Sequence, residues 1–103
     1  MNVNASIKKQ YLEQIEKGVK DTEYREMTEY WTNKLVDVES YGGKEVSEII
    51  DGIQRGELKL HPHAIKQITF YCERKKSAIY KVTGIRVYRG HKLFAIGLGA
   101  KIK

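Results

Sequence analysis

The feature that most constrains the fold is the alternation running through the last forty residues. Ile68, Phe70 and Cys72 alternate with Thr69, Tyr71 and Glu73. Ala78, Tyr80 and Val82 then alternate with Ile79, Lys81 and Thr83, and Ile85 and Val87 with Arg86 and Tyr88. A period of two places one set of side chains on a core face and the other toward solvent, the pattern of half-buried strands. Arg74-Lys75-Lys76-Ser77 reads as a polar connector, and Arg89-Gly90-His91 as a turn into the apolar run Leu93-Phe94-Ala95-Ile96.

Ahead of these strands the period changes to that of a helix. Ile7, Tyr11, Leu12 and Ile15 fall on one face and Lys8, Lys9, Glu13, Glu16 and Lys17 on the other. Ser6 is placed to cap this helix and Gly18 to end it in the left-handed conformation. Lys20 to Glu26 reads as an extended segment, and Thr28 as the cap of a short helix through Tyr30, Trp31 and Leu35. Gly42-Gly43 breaks the chain before a helix carrying Val46, Ile49, Ile50 and Ile53, stopped by Gly56, and His61-Pro62-His63 reads as a loop. Helices first and clustered antiparallel strands after imply an α+β domain or a small barrel with helical decoration, and 103 residues hold one such domain.

Charge narrows the partners. Residues 1–51 carry seven Lys and Arg against eleven Asp and Glu, a net of −4; residues 52–103 carry twelve against two, a net of +10. Clustered cations suit a polyanion, because phosphate contacts dominate affinity for nucleic acid. A merely basic soluble surface fits the same numbers. No apolar run approaches the ~20 residues that span a bilayer, no secretory leader pattern opens the chain, and its single cysteine, Cys72, excludes an internal disulfide. The expected setting is therefore cytoplasmic, with no membrane partner. The alternation buries Cys72, and His61, His63 and His91 are too few and too scattered for a metal site.

The densest cluster of functional groups is Gly18-Val19-Lys20-Asp21-Thr22-Glu23-Tyr24-Arg25. On an extended chain Glu23 and Arg25 point to one side, and Lys20 joins them only if the exit from Gly18 bends. Two cations and a carboxylate on the wall of a groove can hold a phosphate or a base edge, with Tyr24, Tyr30 or Trp31 supplying a stacking face. Lys20 and Glu23 can also do acid–base work if the lysine is held in a dry cleft. An ion-paired strand face without a ligand has the same sequence.

Gly18, Lys20, Glu23 and Arg25 match the GxKxxExR signature of the ASCH family, a branch of the PUA-like β-barrels. The chain resembles that family over nearly its whole length: a helix ending at the glycine, the signature strand, aromatics at Tyr30 and Trp31, and late strands closing in Phe94-Ala95-Ile96-Gly97-Leu98-Gly99. The resemblance implies a single ASCH-like domain over residues 1–103, built as a small PUA-like β-barrel with two or three flanking helices. It implies a cleft for RNA or a nucleotide-like small molecule beside the signature, lined by Lys20, Glu23, Arg25, Tyr24, Tyr30 and Trp31, with no cofactor and no metal. One branch of the family is similar to amidohydrolases of N4-acetylcytidine that use a Lys, a Thr and a distant Glu, and another is linked to RNA cleavage. Lys20 supplies that lysine, and Glu23, the second catalytic candidate, stands where the first branch has threonine. Glu73 is the strand-borne acid of the basic half. A protein-interaction module, its acidic and basic halves meeting different partners, is the remaining alternative, and the oligomeric state stays open.

Overall fold

The alternating segments form a five-stranded sheet, which the computed structural model describes together with the rest of residues 1–103. In chain order the elements are β1 (Asn2–Ser6), α1 (Lys9–Glu16), β2 (Thr22–Glu26), α2 (Glu29–Leu35), α3 (Val46–Gln54), β3 (Gln67–Cys72), β4 (Lys75–Tyr88) and β5 (Leu93–Lys101). Single turns of 3-10 helix at Val38–Tyr41 and Arg89–His91 complete it. The sheet order is β1-β3-β4-β5-β2, with β1 parallel to β3 and every other pairing antiparallel. The domain is thus α+β, its sheet curled into a half-barrel with three helices. No helix is long and apolar enough to cross a membrane.

Two features of the hairpins explain the curl. Glu73 and Arg74 alone make the β3–β4 turn, both at positive φ (52° and 67°), the backbone of a turn whose twist matches the strands it joins. The polar connector expected over Arg74–Ser77 is therefore shorter: Lys75, Lys76 and Ser77 already belong to β4. The second feature lies within β4, where the register against β5 shifts on either side of Val82. Ala78 and Tyr80 face the core before the shift, and Ile85 and Val87 pack against it afterwards. The change of phase in the sequence is therefore a bulged bend in one long strand.

The opening differs from expectation. Ser6 does not cap α1: it is the last residue of β1 and lies opposite Tyr71 of β3. Val3 and Ala5 alternate with Asn2, Asn4 and Ser6, and that short alternation pairs with β3 before the chain can turn helical. The helix starts after Lys8, whose side chain makes no cap. Elsewhere the expected signals operate: Thr28 Oγ1 accepts from Trp31 N at 3.1 Å to open α2, and Gly18 leaves α1 at φ 75°.

The hollow of the curl holds the core. Ile68 and Phe70 of β3 and Phe94 and Ile96 of β5 are fully buried with Leu35 and Val36 at the end of α2 and Ile49 and Ile53 of α3. Burying each such side chain is worth about 1.5–3 kcal/mol, so α2 and α3 are held chiefly by this face. Behind them Tyr41 locks the α2–α3 loop to the segment before β3: its hydroxyl donates to Lys59 O at 2.6 Å and accepts from His61 N at 2.8 Å.

Candidate functional site

The site is built where α1 hands over to β2. After Gly18, the N–H groups of Val19 and Lys20 both donate to Gln14 O, at 3.0 and 3.2 Å, which folds the exit back against the helix. That bend brings Lys20 to the side of the strand that Glu23 and Arg25 occupy, although its parity along the chain is opposite. β2 lies against β5 with Glu23 opposite Ile96 and Arg25 opposite Phe94, so both point toward the concave, core-facing side of the sheet.

Glu23 is 4% exposed, and a carboxylate at that depth needs compensation. Lys20 Nζ lies 2.8 Å from Oε1, Arg25 Nη1 lies 3.0 Å from Oε2, and Tyr24 N donates to Oε1 at 3.2 Å. Arg25 also donates from Nη1 to Tyr24 O at 2.8 Å and from Nη2 to Ser6 O at 2.6 Å. Ser6 ends β1, one edge of the sheet, and Arg25 sits on β2, the other edge. The guanidinium therefore bridges the two edges of the curl, a role the sequence did not announce.

Two clefts open on either side of that bridge. One, of 310 Å³, has Lys8, Tyr11, Lys20 and Arg25 among its walls, with Glu23 at its base. Lys20 Nζ stands 5.1 Å from the centre of the Tyr11 ring. The other, of 400 Å³, is lined by Asn4, Ser6, Arg25, Tyr30, Trp31 and Tyr71. There the guanidinium lies 5.3 Å from the Trp31 ring, which meets Tyr30 edge-on at 5.5 Å. Both contacts are within cation–π range.

The structure thus gathers Lys20, Glu23, Arg25, Tyr30 and Trp31 around one divided groove. Tyr24 also borders the first cleft, and its ring packs on Tyr88 of β4, centroids 5.5 Å apart. The Tyr88 hydroxyl beside it is the main reason that the Tyr24 phenol titrates above its ordinary value. Glu73 lies in the β3–β4 turn, away from Lys20, in a different cleft with Lys9, Glu13 and Lys75. Cys72 borders that same cleft and is half-buried, not enclosed as its alternation implied, because the hairpin turns immediately after it. His61 stacks against Tyr41, centroids 5.2 Å apart.

Sequence reasoning missed Tyr11, Lys8 and the Ser6 carbonyl. Tyr11 was readable: it lies two turns before Gly18, on the flank of α1 that faces the returning chain. The Ser6 carbonyl had no signal, since its part depends on where β1 pairs.

Chemically, the arrangement leaves cationic donors free at the mouth of the groove. A lysine offers three donors and an arginine five. Lys20 uses one on Glu23; Arg25 uses at most three on Glu23, Tyr24 and Ser6, leaving Nε and one Nη2 hydrogen. Oε1 of Glu23 accepts from Lys20 and from Tyr24 N, and Oε2 faces Arg25, so the carboxylate orients both cations. Lys20 meets a carboxylate and an aromatic face, not the dry, unpaired surroundings that a nucleophilic lysine requires. Comparison of the chain with family models, with curated proteins and with solved structures found no match.

Proposed function

We propose that this chain is a small ASCH-type, PUA-like barrel that holds RNA or a nucleotide-like small molecule at the Lys20–Glu23–Arg25 cleft. The observation that carries this reading is a buried carboxylate holding two cations at the mouth of a groove with aromatic walls on both sides. Lys20 and the spare hydrogens of Arg25 take a phosphate or a base carbonyl, and Glu23 sets their geometry. Tyr11 on one side and Trp31 on the other offer faces for a base, and clefts of 310 and 400 Å³ lie at the small end of the ligand-pocket range.

Titration with a mononucleotide such as CMP, followed by amide chemical shifts, tests it. The expected result is saturable shifts at Tyr11, Lys20 and Tyr24, with affinity falling about tenfold or more in Lys20→Ala, the loss expected for a charged hydrogen bond. Absence of shifts around Lys20 at saturating nucleotide sinks the proposal. Lys20→Ala is a cleaner probe than Arg25→Ala, which also strips the Ser6 carbonyl of its donor.

A further inference from the structure

The other side of β2 carries a second arrangement. Its residues fall into register with β5 and β4 in three rows: Thr22–Gly97–Gly84, Tyr24–Ala95–Arg86 and Glu26–Leu93–Tyr88. The middle strand offers only Gly97 and Ala95 in the first two rows, so no bulky side chain separates β2 from β4. Tyr24 and Tyr88 therefore lean across it as a diagonal pair with an interplanar angle of 32°. They are 36% and 41% exposed. Arg86 is exposed beside them, and the space above Gly84 is open.

We propose that this convex face binds single-stranded nucleic acid, with Tyr24 and Tyr88 as the base-stacking surface and Arg86 as the backbone contact. The site is distinct from the Lys20 cleft and does not rest on it. Three observations support it. Two phenol rings lie half-exposed side by side, and every base has a face that stacks on such rings. The strand that carries Tyr88 holds no acid, and its Arg86 is exposed two residues before that ring and on the same face. The acids Asp21 and Glu26 lie at the opposite, β2 rim, so the phosphate chain runs on the β4 side. Hydroxyl-bearing rings bordered by cations suit a base and its phosphate better than an apolar protein surface.

Fluorescence anisotropy with labelled oligouridylate and oligothymidylate of about twelve nucleotides tests this, a length within the usual single-strand site size. Both should bind. Tyr88→Ala should weaken binding roughly tenfold and Tyr88→Phe should restore most of it, because the ring face is kept. Arg86→Gln should reduce the salt slope by about one. Equal affinity for the two oligomers means that base faces and phosphates are read; tighter binding of oligouridylate means that the 2′-hydroxyl is read as well, and both outcomes support the proposal. Failure of the wild-type chain to bind either oligomer overturns it. So does binding lost in Lys20→Ala but untouched in Tyr88→Ala, which assigns the oligomer to the cleft. Self-association in sedimentation that Tyr88→Ala abolishes, without oligonucleotide binding, assigns the face to a protein contact and overturns it too. The cleft is read separately by the mononucleotide, so either site can fail alone.

Discussion

The two faces of β2 solve opposite problems with five residues. On the concave face Glu23 is sunk among Ile96 and Phe94, and Lys20 and Arg25 close on its carboxylate. On the convex face Tyr24 needs no such compensation and stays in water beside Tyr88. The concave groups are bound to one another before any ligand arrives, so they are rigid, and a ligand must use the donors left over. The convex groups are uncommitted. Substitutions at Glu23 and Arg25 should therefore damage folding before recognition, and those on the second face should alter recognition with little change in folding near neutral pH.

The most direct way to break the contrast is Glu23→Ala. Removing the shared anion leaves two cations facing each other at a nearly closed site. Losing one partner of a buried pair costs about 3–5 kcal/mol. Lys20 and Arg25 keep 22% and 17% side-chain exposure, which returns part of that, so a loss of about 2–3 kcal/mol is expected. In a domain of this size that lowers Tm by roughly 10–20 °C, readable by calorimetry or a urea midpoint. A change below about 0.5 kcal/mol, the range of ordinary surface substitutions, would mean that Glu23 is not buried as described.

Arg25→Lys asks how much of the concave face is geometry. The ammonium can still pair with Glu23, but it cannot also reach both Tyr24 O and Ser6 O as the fork does. We expect a loss of about 1–2 kcal/mol. The specific sign is faster amide exchange along β1, including Ile7 N–H, which donates to Tyr71 O at 2.9 Å beside the bridged edge. Uniform exchange across the sheet would show that Arg25 does not hold the edges together. Lys20→Met is milder, within about 1 kcal/mol, because the pair it breaks is partly solvated and Arg25 still faces Glu23. A loss equal to that of Glu23→Ala would contradict the division of labour between the two cations.

Much of this was legible before any coordinates. Alternation located β3 and β4, the apolar run after Arg89-Gly90-His91 located β5, helical spacing located α1 and α3, and Thr28 marked the start of α2. The parity argument placed Glu23 and Arg25 together and made Lys20 conditional on a bend at Gly18. The rest depended on long-range pairing. Five residues at the chain start carry a weak local signal, and β1 becomes a strand because β3, sixty-five residues on, offers an open edge. Without β1 there is no Ser6 carbonyl for Arg25, so its bridging role was invisible. Tyr24 borders the cleft, but the strand's period of two turns its ring toward the other face. Its partner Tyr88 comes from β4, a contact set by register.

The smallest expected effect concerns the convex face and leaves stability near neutral pH untouched. The Tyr24 phenol is held above its ordinary value of 10.0 mainly by the Tyr88 hydroxyl, while Arg86 pulls it down. Tyr88→Phe should lower the Tyr24 pKa toward the ordinary value, and Arg86→Gln should raise it further, both read by ultraviolet titration of the phenolates. Tyr41 and Tyr80 on the core side are also raised, there by burial. A group whose folded pKa exceeds its unfolded one lends stability that is complete below about pH 10 and is lost as pH climbs through the folded value. Alkaline unfolding should thus respond most to Tyr41→Phe, measured against the neutral-pH loss of its two hydrogen bonds, and less to Tyr88→Phe, which releases only the shift of the exposed Tyr24 phenol. If Tyr88→Phe moves the alkaline transition as far as Tyr41→Phe does, the convex pair is part of the folded core's energetics and the contrast between the two faces of β2 collapses.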